Sequence, residues 1–276
     1  MTTPPRTASD VPHAKDMPML GLGTWQNEDP EQCAESVRTA LDMGYRHIDT
    51  AQAYGNEAAV GDGIEAADVD REDVFLATKV WIDNLSHDDV LATTEESLEK
   101  LGVDYVDLLY VHWPSRTYDP ADTLAAFDAL AEDGTIEHVG VSNFEPEHVA
   151  EAEEILAADV FANQVECHPF LQQEELRAAC DEHDVELVAY SPLARGSVFD
   201  EPVISEIAGK HDVSEAQVSL AWLREQGITA IPKATGHAHI EDNWLSLGVD
   251  LDDGDLERIG RLDRSDREVD PGFAPW

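Results

Sequence analysis

Short apolar runs alternate with longer amphipathic stretches along nearly the whole chain. The runs are MLGLG (19–23), YRHID (45–49), VFLATK (74–79), VDLLYVH (106–112), HVGVSN (138–143), FANQVE (161–166), ELVAYS (186–191) and TAIPK (229–233). Between them lie segments of helical period, such as PEQCAESVRTALDMG (30–44), SHDDVLATTEESLEKLG (86–102) and DTLAAFDALAEDG (122–134). Several open on Ser, Asp or Pro and stop at Gly, as capped helices do. Strand and helix repeating about eight times over short connectors predict βαβ units and a parallel sheet. That number of units in a chain of 276 residues fits a closed (β/α)8 TIM barrel. An open doubly wound sheet also alternates, but a nucleotide-binding one carries GxGxxG after its first strand. The chain has Gly21-Leu22-Gly23-Thr24-Trp25-Gln26, with Gln26 in place of the third glycine. No linker or shift in composition cuts the chain. Residues 1–16 are expected as a flexible tail and residues 17–276 as one barrel domain. The stretch VFDEPVISEIAGKHD (198–212) is extra between the seventh strand and its helix.

Charge constrains the surroundings rather than the fold. Asp and Glu number 59 against 17 Lys and Arg, a net charge of −42. The acid is spread among apolar positions, unlike a disordered acidic tail or a polycation-binding block. Such self-repulsion destabilises a compact chain at ordinary ionic strength. At ~1 M salt the Debye length falls to about 3 Å. The composition thus points to a salt-adapted, halophilic source and a cytoplasmic protein, with no nucleic-acid partner. The N-terminus lacks the apolar core of a signal peptide, and no run is long enough to span a membrane. Cys33, Cys167 and Cys180 are odd in number and widely spaced, which indicates neither a disulfide framework nor a zinc cluster.

In a (β/α)8 barrel the chemistry sits at the C-terminal strand ends. Those ends carry Asp49, Lys79, His112, Ser142-Asn143, Gln164, Glu166 and Tyr190-Ser191, with Lys233 after the last strand and Tyr54 in the loop after Asp49. A free tyrosine titrates near 10, roughly. An ammonium beside it, here Lys79 oriented by Asp49, would lower that value. With His112 near the same oxygen, the group becomes a proton donor to a carbonyl that receives a hydride. No side chain supplies hydride, so a nicotinamide cofactor is required.

The motifs GYRHIDTAQAYGNE (44–57), TKVW (78–81), VDLLYVHWP (106–114), GVSNF (140–144), NQVECHP (163–169), AYSPL (189–193) and IPK (231–233) resemble those of the aldo-keto reductases, in order and at matching spacing. The resemblance runs from about Met19 to Asp263. The short loop after His112 and the short C-terminal tail are similar to the microbial branch, such as 2,5-diketo-D-gluconate reductases. The resemblance implies an NAD(P)H-dependent reduction of aldehydes and ketones by a monomer, with a small carbonyl substrate. It implies Tyr54 as general acid, Lys79 and Asp49 as the pair that tunes it, and His112 as the residue that orients the carbonyl. Ser142, Asn143 and Gln164 match groups that bind the nicotinamide carboxamide, and Tyr190 the ring stacked on it. Ser191 and Leu193 match pyrophosphate contacts. Lys233 matches the lysine at the adenosine 2′-phosphate, and Asn243 the asparagine near adenine. Trp25, Trp81 and Trp113 fall where the family lines its substrate pocket.

The chain departs from that pattern at Ala234, where the family has Ser, at Asp242, where it has Glu, and at His239, where it has Arg. A histidine lacks the bidentate fork of arginine. NADPH is the expected cofactor, with NADH possible. Other readings compete. His47 lies two residues from Asp49 on one strand face and reads as a barrel layer residue rather than a ligand. Glu166, Cys167, His168 and His112 make no convincing metal set, so no metal is expected. Asp49 and Lys79 alone would be a structural ion pair. A non-catalytic barrel that keeps the cofactor as a redox sensor for a partner is the alternative function.

Overall fold

The computed structural model describes Ala8 and residues 11–276. Its first element is a hairpin, β1 (His13–Ala14) paired antiparallel with β2 (Met17–Pro18). Ala14, Met17 and Met19 are buried in one cluster with Phe75, Phe161 and Ile231 inside the barrel. The hairpin thus closes the N-terminal end of the barrel. Residues 11–16 are therefore not part of a loose tail, as the sequence suggested, because Val11 and Met17 take apolar surface from water there. Of the rest of that expected tail, Ala8 alone is among the described residues.

Eight parallel strands follow: β3 (Leu22–Gly23), β4 (His47–Asp49), β5 (Phe75–Val80), β6 (Val106–Val111), β7 (Ile136–Ser142), β8 (Val160–Glu166), β9 (Glu186–Tyr190) and β10 (Thr229–Ala230). They lie side by side in chain order. Parallel bridges Leu20–Ala230 and Gly23–Lys233 join the last strand to the first and close the (β/α)8 barrel. Closure explains Gly23, where a Cβ would sit 2.6 Å from the Ile231 carbonyl oxygen.

The helices are α1 (Pro30–Met43), α2 (Glu57–Glu65), α3 (His87–Leu101), α4 (Pro120–Asp133), α5 (Pro146–Ile155), α6 (Glu174–Glu182), α7 (Pro202–His211), α8 (Glu215–Glu225), α9 (His237–Leu245) and α10 (Asp253–Gly260). Their ends follow the sequence signals. Asp29 and Asp119 accept from Gln32 N and Asp122 N ahead of Pro30 and Pro120, and α4 stops at left-handed Gly134. The extra segment after the seventh barrel strand is α7, preceded by a 3-10 stretch over 194–200. No helix among the described residues is long and apolar enough to cross a membrane. Strands β4 to β9 are almost wholly buried, which fixes the strand-end side chains on a rigid frame.

Candidate active site

Asp49 ends β4, Lys79 lies near the end of β5, and both side chains are inaccessible to solvent. The Lys79 ammonium donates to Asp49 Oδ1 at 2.5 Å and to the Thr50 carbonyl at 2.8 Å. Its third donor direction points to the Tyr54 hydroxyl at 3.4 Å. Tyr54 closes a single 3-10 turn, Gln52–Tyr54, and Gly55 exits it with φ 67°. The Gln52 amide holds that turn, donating to Thr93 O and accepting from Trp81 N. His112 follows β6, and its ring meets Tyr54 edge-on at 5.9 Å between centroids.

A continuous polar chain extends from this group. Gln164 Nε2 donates to the other Asp49 oxygen at 2.7 Å. Ser142 Oγ donates to the Gln164 carbonyl, and Asn143 Nδ2 donates to Ser142 Oγ and to the His112 carbonyl. Asn143 Oδ1 in turn accepts from the Tyr190 hydroxyl at 2.8 Å. Asn143 does this from a left-handed backbone, φ 61°, a conformation asparagine tolerates better than most residues. Left-handed angles recur in the loop after β9, at Ser191, Ala194 and Arg195. Strain of this kind gathers where surrounding structure enforces a shape for a purpose.

Burial sets the protonation states. It pushes Lys79 below its ordinary value, against the pull of Asp49. Burial, and then Lys79, hold His112 well below the usual imidazole range, so the ring is neutral at pH 7. Tyr54 departs from the expected direction. Burial first, then the Asp49 and Tyr190 oxygens, raise its phenol well above 10.0. Lys79 does not bring the expected depression, because Asp49 offsets the ammonium and burial disfavours the phenolate. Tyr54 is therefore held as the protonated phenol. The three cysteines are buried thiols, and burial pushes Cys33 to about 11 and Cys167 to about 12.

The remaining sequence candidates divide. Trp81 meets the His112 ring edge-on at 5.1 Å, and Trp113 lies beside it, 5% exposed. Trp25 is 40% exposed and stands apart, capped by the Arg195 guanidinium at 5.0 Å. Leu193 packs on the core beside the strained loop. Lys233 and His239 are exposed and Asn243 is buried; the three lie after β10 and on α9, outside the polar chain. Sequence reasoning missed Phe273, which meets Trp81 at 5.9 Å and Trp113 at 5.4 Å. It also missed Trp276, which lies on Trp113 at 5.4 Å under the Arg267 guanidinium. The signal was available: the aromatic ending PGFAPW after the polar run DRSDRE. His47 is an interior barrel residue, bonded through Nδ1 to the Pro18 carbonyl. Among the described residues no group of three or more His, Cys, Asp or Glu is placed to hold a metal.

Asp49, Lys79, Tyr54 and His112 thus meet at the mouth of a (β/α)8 barrel whose sequence and fold are similar to those of known proteins. The aldo/keto reductase family model matches residues 19–264, and the chain belongs to that family. It is 40% identical over 252 residues to the glyoxal reductase of Bacillus subtilis, covering 91% of each chain. Its fold matches a candidate 2,5-diketo-D-gluconic acid reductase B with TM-score 0.91 at 34% identity, covering 99% of this chain and 96% of that one. It also matches the Bombyx mori aldo-keto reductase in complex with NADP, TM-score 0.87 at 30% identity over 92% of both. The chain is thus an oxidoreductase that reduces carbonyl compounds.

Proposed function

We propose that the chain is an NAD(P)H-dependent reductase of small polar aldehydes and ketones in which Tyr54 is the general acid. The observation that carries this reading is the Lys79 ammonium poised between Asp49 at 2.5 Å and the Tyr54 hydroxyl at 3.4 Å. A phenol held protonated has a proton to give, and the ammonium behind it stabilises the phenolate that forms as the proton leaves. The neutral His112 donates one N–H to the carbonyl oxygen and orients it without competing for the proton. Asp49 keeps Lys79 charged against burial.

The residues present fit a nicotinamide dinucleotide. Ser142, Asn143 and Gln164 present amides and a hydroxyl beside the Tyr190 ring, which Asn143 fixes in place. Lys233 has no carboxylate within bridging distance among the described residues, in a chain with 59 acidic ones, which suits a phosphate group. The cofactor, when bound, supplies the hydride. Ser191 and Leu193 border the pyrophosphate side, and Asn243 and His239 the adenine side. Lys233 favours NADPH, while His239 and Ala234 weaken the preference. Trp81 and Trp113 line the substrate path, and Trp25 borders its outer rim beside Arg195. α-Dicarbonyls, keto-sugars and sugar aldehydes are the substrate class, in keeping with the glyoxal reductase relative. The net charge of −42 supports a monomer working in the cytoplasm of a halophilic cell.

The test is oxidation of NADPH and of NADH by methylglyoxal in ~2 M KCl, a concentration that screens the acidic surface. Turnover is expected with the wild-type protein. In Tyr54→Phe it falls by about 10²–10⁴, the range of general acid catalysis. Turnover that persists in this variant would remove Tyr54 from the role.

A further inference from the structure

β8 carries Gln164 and Glu166 on one face, by the two-residue period of a strand. Gln164 reaches Asp49, and Glu166 lies one step further toward the mouth. The Glu166 side chain is fully buried. A carboxylate taken out of water is costly unless several donors surround it. Here three do. His168 Nε2 lies 3.0 Å from Oε1, the Glu268 amide donates to Oε1 at 2.8 Å, and the Val269 amide donates to Oε2 at 3.0 Å. Two of the three donors thus belong to the chain after α10, residues 263–276, which has neither helix nor strand.

That segment crosses the mouth as a strap. Its start is tied to β8's far loop, where Arg264 N and Asp266 N donate to the Phe170 carbonyl and the Arg264 guanidinium covers the Phe170 ring at 4.0 Å. Its end supplies Phe273 and Trp276 to the aromatic wall built on Trp81 and Trp113. Trp81 in turn touches His112. Between the two ends, Glu166 is, among the described residues, the only side chain of the barrel sheet that takes strap amides. Next to it, Glu268 accepts from Ser197 Oγ at 3.3 Å, which joins the strap to the 194–200 loop whose Arg195 covers Trp25.

We propose that Glu166 is a positioning residue: its buried carboxylate pins the strap across the barrel mouth and so sets which carbonyl compounds the pocket accepts. This rests on the reductase reading above. Glu166 touches no reacting atom. It acts through Glu268 and Val269, whose placement fixes where Phe273 and Trp276 stand. Because the strap is also bonded to the 194–200 loop, the walls of the substrate side and of the strained-loop side are held as one unit.

The experiment compares Glu166→Gln with wild type in two readouts. The first is hydrogen exchange of the Glu268 and Val269 amides, which needs no turnover. Both exchange slowly in the wild type and at least tenfold faster in the variant. The second is kinetics with 4-nitrobenzaldehyde and with methylglyoxal. KM for the aromatic aldehyde rises about tenfold, as for loss of one charge-assisted hydrogen bond. KM for methylglyoxal, too small to span the aromatic wall, rises much less, and kcat moves less than KM. Phe273→Ala leaves the anchor in place and reproduces the selective KM rise with the two amides still protected. Amides that stay protected in Glu166→Gln, or equal KM changes for both aldehydes alongside a lower Tm, would overturn the proposal and leave Glu166 a stability residue. A wild-type protein that reduces neither aldehyde, with protected amides released by Glu166→Gln, would sink the reductase reading while the anchor stands.

Discussion

Two lysines of this chain hold carboxylates at nearly the same distance and do opposite things. Lys79 sits 2.5 Å from Asp49, with side chains 0% and 2% exposed. Lys210 sits 2.6 Å from Asp252 and 2.8 Å from Asp255, and is 44% exposed. Burial lowers the affinity of Lys79 for its proton, and its carboxylate only opposes that shift. The hydrogen bonds to Asp252 and Asp255 raise that of Lys210. The first pair is a charge kept out of water beside a phenol. The second, with His211 on Asp255 at 2.7 Å, fastens α7 to α10. Distance and residue type are the same, and dielectric surroundings decide between a chemical tool and a surface fastening.

Lys79→Met gives the largest separation between the two. It leaves Asp49 buried with only Gln164 as a side-chain donor. Breaking a buried pair from one side costs about 3–5 kcal/mol. Denaturant unfolding in high salt is expected to show that loss, and turnover to fall to background. A Lys79→Met protein as stable as wild type would mean that the pair contributes to chemistry alone.

A second, smaller effect separates buried titrating groups from exposed ones. His47 and His112 are both buried, and burial depresses both below the ordinary 6.5. Each stays neutral in the fold while the unfolded chain takes a proton below that pH. The unfolded state then binds more protons, so stability falls as pH drops below 6.5. The slope approaches about 1.4 kcal/mol per pH unit for each histidine. Unfolding curves between pH 6.5 and 5 measure it, and His112→Asn should remove about half. An unchanged slope in that variant would place the acid sensitivity elsewhere.

Much of this was legible in the sequence for a physical reason. Alternation fixes which residues end strands, and barrel closure brings strand ends together. That is why Asp49, Lys79, His112, Ser142, Asn143, Gln164 and Tyr190 meet although they span about half of the chain. Direction of titration was not legible. The effect of Lys79 on Tyr54 depends on how far Asp49 cancels it and on how dry the site is, and neither is a property of spacing. The strap was not legible either. Phe273 and Trp276 look like a frayed end until their contacts with Trp81 and Trp113 are known, and no periodicity encodes those. The same holds for residues 11–16, whose apolar positions are too few for a pattern yet fit the open end of the barrel.

The smallest expected effect tests the exposed cluster. Lys210→Met removes a side chain whose pair is screened by salt and solvated, so the loss of stability should be slight and shrink further as KCl is raised. Its acid behaviour also has a sign. Asp252 is held below the ordinary 3.8 mainly by Lys210, and Asp255, despite a burial that raises it, by Lys210 and His211 together. Carboxylates depressed in the fold stabilise above their unfolded value. The contribution is present above pH 3.8 and disappears as pH falls through the lower folded values. Wild type and Lys210→Met should therefore differ in Tm at pH 6 and low salt, and converge near pH 2. Their kcat/KM values should agree throughout, since among the described residues no hydrogen bond or ion pair runs from α7 or α10 to Tyr54. A Lys210→Met variant that loses turnover without losing stability would erase the contrast between the two lysines, because the fastening would then act on the site.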